Sequence, residues 1–169
     1  MLQAAEELAV EVGPASLSLD AVAARAGLSK GGLLYHFPTK ARLLEALVED
    51  FVCRFEEELA TRLSSAGCGR DNTATAYLEL FVEEHKVKRP PPAGLLAAMA
   101  ENPDFLRPVR RHQRSLMDRV KACTSDPVDG LIAFLALQGI KSQELLSIQT
   151  LNPQEFDAVI ERLRSILAR

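Results

Sequence analysis

The run SLDAVAARAGLSKGGLLYHFPTK, from Ser18 to Lys40, leaves the chain few choices. Leu19, Val22, Ala23 and Ala26 recur at the i, i+3, i+4, i+7 spacing of one helical face, which dictates a short amphipathic helix with Arg25 pointing away. Ser18 stands where an N-cap is wanted, and Gly27 where the chain leaves the helix in a left-handed conformation. Ser29 then caps a second helix, from Lys30 to about Phe37, which Pro38 prevents from continuing. Helices this short are not stable alone. Leu33 and Phe37, one turn apart, therefore pack against the first helix, with Leu28 beside the turn. Lys30, Gly31, Gly32, Tyr35 and His36 are left outside.

Two short helices joined by a turn containing Gly match a helix-turn-helix, whose second helix enters the DNA major groove by its N-terminal residues. The bare pattern also occurs as a simple packing unit. The longer run GLSKGGLLYHFPTKARLL, from Gly27 to Leu44, is more specific, and it resembles the DNA-binding signature of the TetR (tetracycline-repressor-like) family. The resemblance implies an all-α protein. A three-helix helix-turn-helix DNA-binding domain would occupy residues 1–46, and a helical ligand-binding and dimerisation domain residues 47–169. It also implies a DNA-binding set of Ser18, Ser29, Lys30, Gly31, Gly32, Leu34, Tyr35, His36, Thr39 and Lys40, with Lys30, Tyr35 and His36 nearest the bases and Ser18, Thr39 and Lys40 nearest phosphates. Gly32 and Leu34 depart from the pattern, standing where the family most often has Thr and Tyr. Gly31 and Gly32 each cost a helix about 1 kcal/mol relative to Ala, which suggests close approach of backbone N–H groups to phosphate rather than a merely frayed first turn. The helix carries no Arg, Asn or Gln, the usual bidentate readers of bases. Discrimination is therefore expected from Lys30, from Leu34 against thymine methyls, and from DNA shape.

Composition narrows the remaining classes. The 169 residues are 47% hydrophobic and 25% charged, with no Trp, as expected of packed Leu- and Ala-rich helices and not of a disordered chain. No segment approaches the roughly 18 consecutive apolar residues that span a bilayer. Glu6 and Glu7 stand where a signal peptide would be apolar, so a cytoplasmic protein is expected. The first helix begins later than the family's usual one, so either the start is truncated or the basic arm is lacking. The net charge of −3 does not advertise nucleic acid, although Lys30, His36, Lys40 and Arg42 bracket the second helix of the pair. Cys53, Cys68 and Cys123 lack metal-ligand spacing, so free thiols and no metal or cofactor are expected. A redox-sensing role for Cys68, between Gly67 and Gly69, is the weaker reading beside a free thiol.

Taken in order, the sequence predicts helices over residues 1–12, 40–64, from Asp71 or Asn72 to about 86, 93–100, 104–123, 127–147 and 153–167, with breaks at Gly13–Pro14, Gly67–Asp71 and Lys88–Pro92. The Arg-rich helix over 104–123 reads as a solvated face paired with acidic helices rather than a second nucleic-acid patch. Apolar stripes on the last two helices, Leu131, Phe134, Leu135, Ile140, Phe156, Ile160, Leu163 and Leu167, predict a homodimer, with a palindromic DNA site as the consequence of two-fold symmetry. Phe51, Phe55, Tyr77, Phe81, Leu95, Met99, Leu116 and Met117 are placed to line a pocket for a small apolar effector, with solid core as the competing reading.

The function expected from all this is a ligand-responsive, dimeric transcription regulator. By the resemblance it is a repressor, released from double-stranded DNA by the effector. The alternative is a ligand- or partner-binding protein of the same fold with weak or lost DNA binding. His85 and His112 lack any nucleophile motif around them, so enzymatic activity is not expected.

Overall fold

A computed structural model describes residues 1–13, 16–65, 73–87 and 92–167. The expected breaks at residues 66–72 and 88–91, with Cys68 and Pro14, lie outside the described residues. Among the described residues nine α-helices follow in order: α1 (Leu2–Val12), α2 (Leu19–Arg25), α3 (Lys30–His36), α4 (Lys40–Ser65), α5 (Thr73–Val87), α6 (Ala93–Glu101), α7 (Arg107–Ala122), α8 (Pro127–Leu145) and α9 (Pro153–Leu167). There is no strand among the described residues.

The helix predicted over 104–123 starts differently. A 3-10 turn over Pro103–Leu106 precedes α7. Pro108 has no N–H to donate to the Asp104 carbonyl, so an α-helical first turn is unavailable there. Arg107 N–H bonds to that carbonyl in 3-10 fashion instead.

The helices form two compact units, residues 1–55 with 92–112, and 56–91 with 113–169. In the first unit, Ala5, Leu8 and Ala9 of α1, Val22 and Ala23 of α2, Leu33 of α3 and Leu43, Leu44, Leu47 and Val48 of α4 share one core. Ala93, Ala97 and Ala98 of α6 close it. Small residues let α6 approach closely. A Cβ on Gly94 would lie 2.6 Å from Glu6 Oε1 and 3.2 Å from Leu47 Cβ. Pro92, the N-cap of α6, offers no capping side chain, and Glu6 takes over: its Oε2 accepts the Gly94 N–H at 3.0 Å. A carboxylate at a helix N-terminus is favoured by the helix dipole as well as by the hydrogen bond.

In the second unit α5 packs on α8 and α9, burying Tyr77, Leu78, Phe81, Phe134, Leu137, Phe156, Ile160 and Leu163. The Tyr77 and Phe134 rings lie 5.8 Å apart and those of Phe81 and Phe156 6.3 Å. Burial pushes the Tyr77 phenol upward, so it stays neutral, and its oxygen accepts from Gln138 Nε2 at 3.1 Å. Gln138 Oε1 in turn accepts from Gln113 Nε2 at 3.3 Å. Arg164 of α9 grips Glu79 of α5 through two hydrogen bonds, 2.8 and 3.1 Å, which hold the Glu79 carboxyl below the usual carboxylate range.

The residues of the expected dimer stripes differ in burial. Phe134, Phe156, Ile160 and Leu163 are buried inside their own unit. Leu131, Ile140 and Leu167 are half-buried, and only Leu135, at 57% exposure, faces fully outward. Helix α8 is apolar on most of its circumference, so α5 and α9 had enough apolar surface to cover one side and leave Val128, Ile132 and Leu135 exposed. Met99, expected to line a pocket, is likewise exposed, because the inward positions of α6 are taken by Ala97 and Ala98.

Candidate nucleic-acid interface

The helix-turn-helix is built by local chemistry. Ser18 Oγ accepts from Ala21 N at 3.3 Å and Ser29 Oγ from Gly32 N at 3.1 Å, so both serines cap their helices. Thr39 does the same for α4, accepting from Arg42 N at 3.2 Å. Gly27 closes α2 at φ +67°, and Leu28 N returns to the Ala23 carbonyl at 2.9 Å, as left-handed helix termination requires. Three hydroxyls of the expected DNA set therefore carry structural bonds as acceptors. Each keeps its own O–H to donate.

Helix α3 offers little to the core beyond Leu33. Phe37 and Leu34 are half-buried, whereas Tyr35 is 85% exposed and His36 is exposed, their rings edge to face at 5.2 Å. Gly31 is exposed, and a Cβ there would meet nothing within 4 Å, so no internal contact explains the glycine. At Gly32 a Cβ would come within 3.3 Å of the Ser29 cap oxygen.

Lys30, Lys40 and Arg42 of this face, and Arg25 behind it, each have an acidic neighbour. Lys30 Nζ lies 3.0 Å from Asp20, and Lys40 Nζ 3.2 Å from Glu101. Arg42 pairs with Glu45. Arg25 pairs with Glu11, holding that carboxyl below the usual carboxylate range, and lies 3.7 Å from Glu7. Asp20 and Glu101 were not found by sequence reasoning. Asp20 had a signal, since one helix-turn-helix geometry brings the starts of α2 and α3 together; Glu101 had none. On the Arg-rich α7, Arg119 pairs with Glu56 of α4, whereas Arg114 and Lys121 pair with Asp118 of the same helix and Arg110 with Asp104 just before it.

The residues expected to line a pocket fall into two groups. Phe51, Phe55, Leu95 and Met99 belong to the first unit, where Phe55 packs edge-on to the His112 ring at 5.1 Å. Tyr77, Phe81, Leu116 and Met117 belong to the second, with the first three buried and Met117 half-buried. Among the described residues no group of His, Cys, Asp or Glu is arranged to hold a metal ion, and no helix is long and apolar enough to cross a membrane.

Comparison with known proteins bears on this face directly. Residues 1–47 match the model of bacterial regulatory proteins of the tetR family, and residues 71–168 match the tetracyclin repressor-like C-terminal domain. The chain belongs to the TetR family. TetR-family proteins are DNA-binding transcription regulators rather than enzymes, so the helix-turn-helix reading of α2 and α3 and the non-enzymatic reading stand together. No curated protein matches the chain significantly. Among solved structures, a transcriptional regulator from Rhodococcus sp. Rha1 is similar at TM-score 0.68 and 22% identity, covering 98% of this chain and 92% of that one. The multidrug binding protein EbrR complexed with ethidium is similar at TM-score 0.65 and 22% identity, covering 98% and 95%. GusR of Salmonella enterica follows at TM-score 0.62 and 18% identity, covering 99% and 93%. At these identities the likeness is one of TetR fold.

Proposed function

We propose that this TetR-family chain is a homodimeric repressor that binds a palindromic operator through α3 and is released by a small apolar effector. The observation that carries the reading is the exposed side of α3. Tyr35 and His36 stand clear of the core, flanked by Lys30 and Lys40, and hold no part of the fold together. Ser18, Ser29 and Thr39 are fixed as caps with their protons free for phosphate, and Leu34 sits at the rim for thymine methyls.

Dimerisation is assigned to the outward stripe of α8, Val128, Ile132 and Leu135, spaced i, i+4, i+7 with Gly139 continuing it. Such a stripe on a lone protomer is costly to leave in water. For the effector, the likeness to a protein that binds ethidium supports a flat or lipophilic small molecule. The buried Tyr77, Phe81 and Leu116 supply apolar surface, and the Gln113–Gln138–Tyr77 hydrogen bonds supply few polar anchors.

Selection of bound sequences from a random DNA library tests the whole reading. Enriched sites should be inverted repeats with half-sites about one helical turn apart or a multiple of it. Replacing Tyr35 and His36 together by Ala should abolish enrichment while the protein stays folded. Leu135→Glu should yield a monomer by sedimentation and lose the inverted symmetry. Lipophilic compounds, ethidium among them, should release bound duplex. Equal recovery of all sequences by the wild-type protein would overturn the repressor and favour a helical binding protein that has lost DNA affinity.

A further inference from the structure

We propose that Glu101 competes with DNA phosphate for Lys40 and so sets the affinity of this protein for DNA, an inference that rests on the DNA-binding role above. Among the described residues four Lys and Arg side chains flank the helix-turn-helix, and the origin of their partners distinguishes them. Arg25 is held from α1, Lys30 from α2 and Arg42 from its own helix, so those acids move with the DNA-binding helices. Lys40 alone of these four is held from α6, by the last residue of that helix.

Lys40 opens α4 directly after its Thr39 cap. Its ammonium has one charge to divide between Glu101 Oε2, 3.2 Å away, and a phosphate oxygen. Both side chains are partly solvated, at 33% and 49% exposure, so exchange of one anion for the other strands no buried charge. The position of Glu101 is itself fixed. Asn102 is extended ahead of Pro103, and its side chain accepts from Asp104 N at 3.0 Å, which ends α6 at Glu101. At the other end of α6 the Gly94 N–H is anchored on Glu6. Helix α6 is thus held at both ends, by Glu6 of α1 and by Lys40 of α4. Glu101 is a positioning residue: it acts on DNA only through Lys40, and a shift of α6 would change what Lys40 is free to bind.

A phosphate contact is blind to sequence, so a random-sequence duplex suffices as the probe. Wild type, Glu101→Gln, Lys40→Gln and the double variant would be titrated with it over a range of salt, with melting curves confirming that each is folded. Glu101→Gln should tighten binding by up to roughly fivefold, the range of an exposed ion pair. In the Lys40→Gln background the same change should do nothing. The slope of log Kd against log salt should flatten by up to ~0.9 per chain when Lys40 is removed from Glu101→Gln, and by less when it is removed from wild type. Tightening by the same factor with Lys40 absent would mean that Glu101 acts only through its field, and would overturn the proposal, as would an unchanged affinity in Glu101→Gln. Failure of the wild-type protein to bind any duplex would overturn the DNA-binding reading and this inference with it; binding without coupling between the two residues overturns this inference alone.

Discussion

Helix pairs α2–α3 and α8–α9 each join two consecutive helices across a short connection, yet they differ in how their faces are chosen. In the first pair the helices have seven residues each and one apolar side, and their ends are fixed by Ser18, Ser29 and Gly27. One arrangement satisfies them. Helix α8 spans 19 residues, and Leu131, Ile132, Phe134, Leu135 and Leu137 circle it, so several rotations would bury comparable apolar area. Neighbours decided which side went in: Phe134 and Leu137 meet α5 and α9, while Ile132 and Leu135 face out. A narrow stripe specifies its own orientation, and a broad one leaves it to the partner helices.

Adjacent residues on α8 give the largest test of that contrast. Phe134→Ala should cost about 3–5 kcal/mol in guanidinium unfolding, whereas Leu135→Ala should stay within ~0.5 kcal/mol at concentrations where the chain is monomeric. Equal costs would mean that α8 is rotated from the orientation described. Gly27→Ala comes next, with an expected loss of ~1–2 kcal/mol from placing a Cβ at φ +67°. Circular-dichroism melting of the variant measures it, and a neutral result would show that the turn can relax. Ser29→Ala should cost about 1 kcal/mol, because the Gly32 N–H loses its acceptor. Amide exchange localised to the first turn of α3 would report that loss even if the global melting point hardly moved.

The smallest effect is in acid. Arg164 holds the Glu79 carboxyl below its unfolded value, so the pair's stabilisation is fully present above the usual carboxylate range, near 4.3, and is lost as pH falls through the lowered folded-state value. With both groups largely solvated the contribution is under about 1 kcal/mol. Glu79→Gln should therefore lower stability slightly at neutral pH and leave it unchanged at pH values below both states. A variant as acid-sensitive as wild type throughout would assign the effect to other carboxylates.

Sequence by itself determined the helical class, nearly every helix end and the outward set on α3. Caps, glycines and prolines act on residues three or four positions away, so Ser18, Ser29, Thr39, Gly27, Asp126 and Pro153 mark boundaries without reference to the rest of the chain. It also assigned Tyr35 and His36 to the surface, since Leu33 and Phe37 already claimed the inward side of a two-turn helix. The tertiary structure decided what depends on residues far apart. Glu101 reaches Lys40, Glu6 reaches the start of α6, and the Arg-rich α7 finds Glu56 because folding brings distant helices together, and no local periodicity encodes that. The same holds for the side of α8 that α5 and α9 cover. Apolar burial is nondirectional, so the side that became core and the side that stayed in water were fixed by the shape of the surrounding helices.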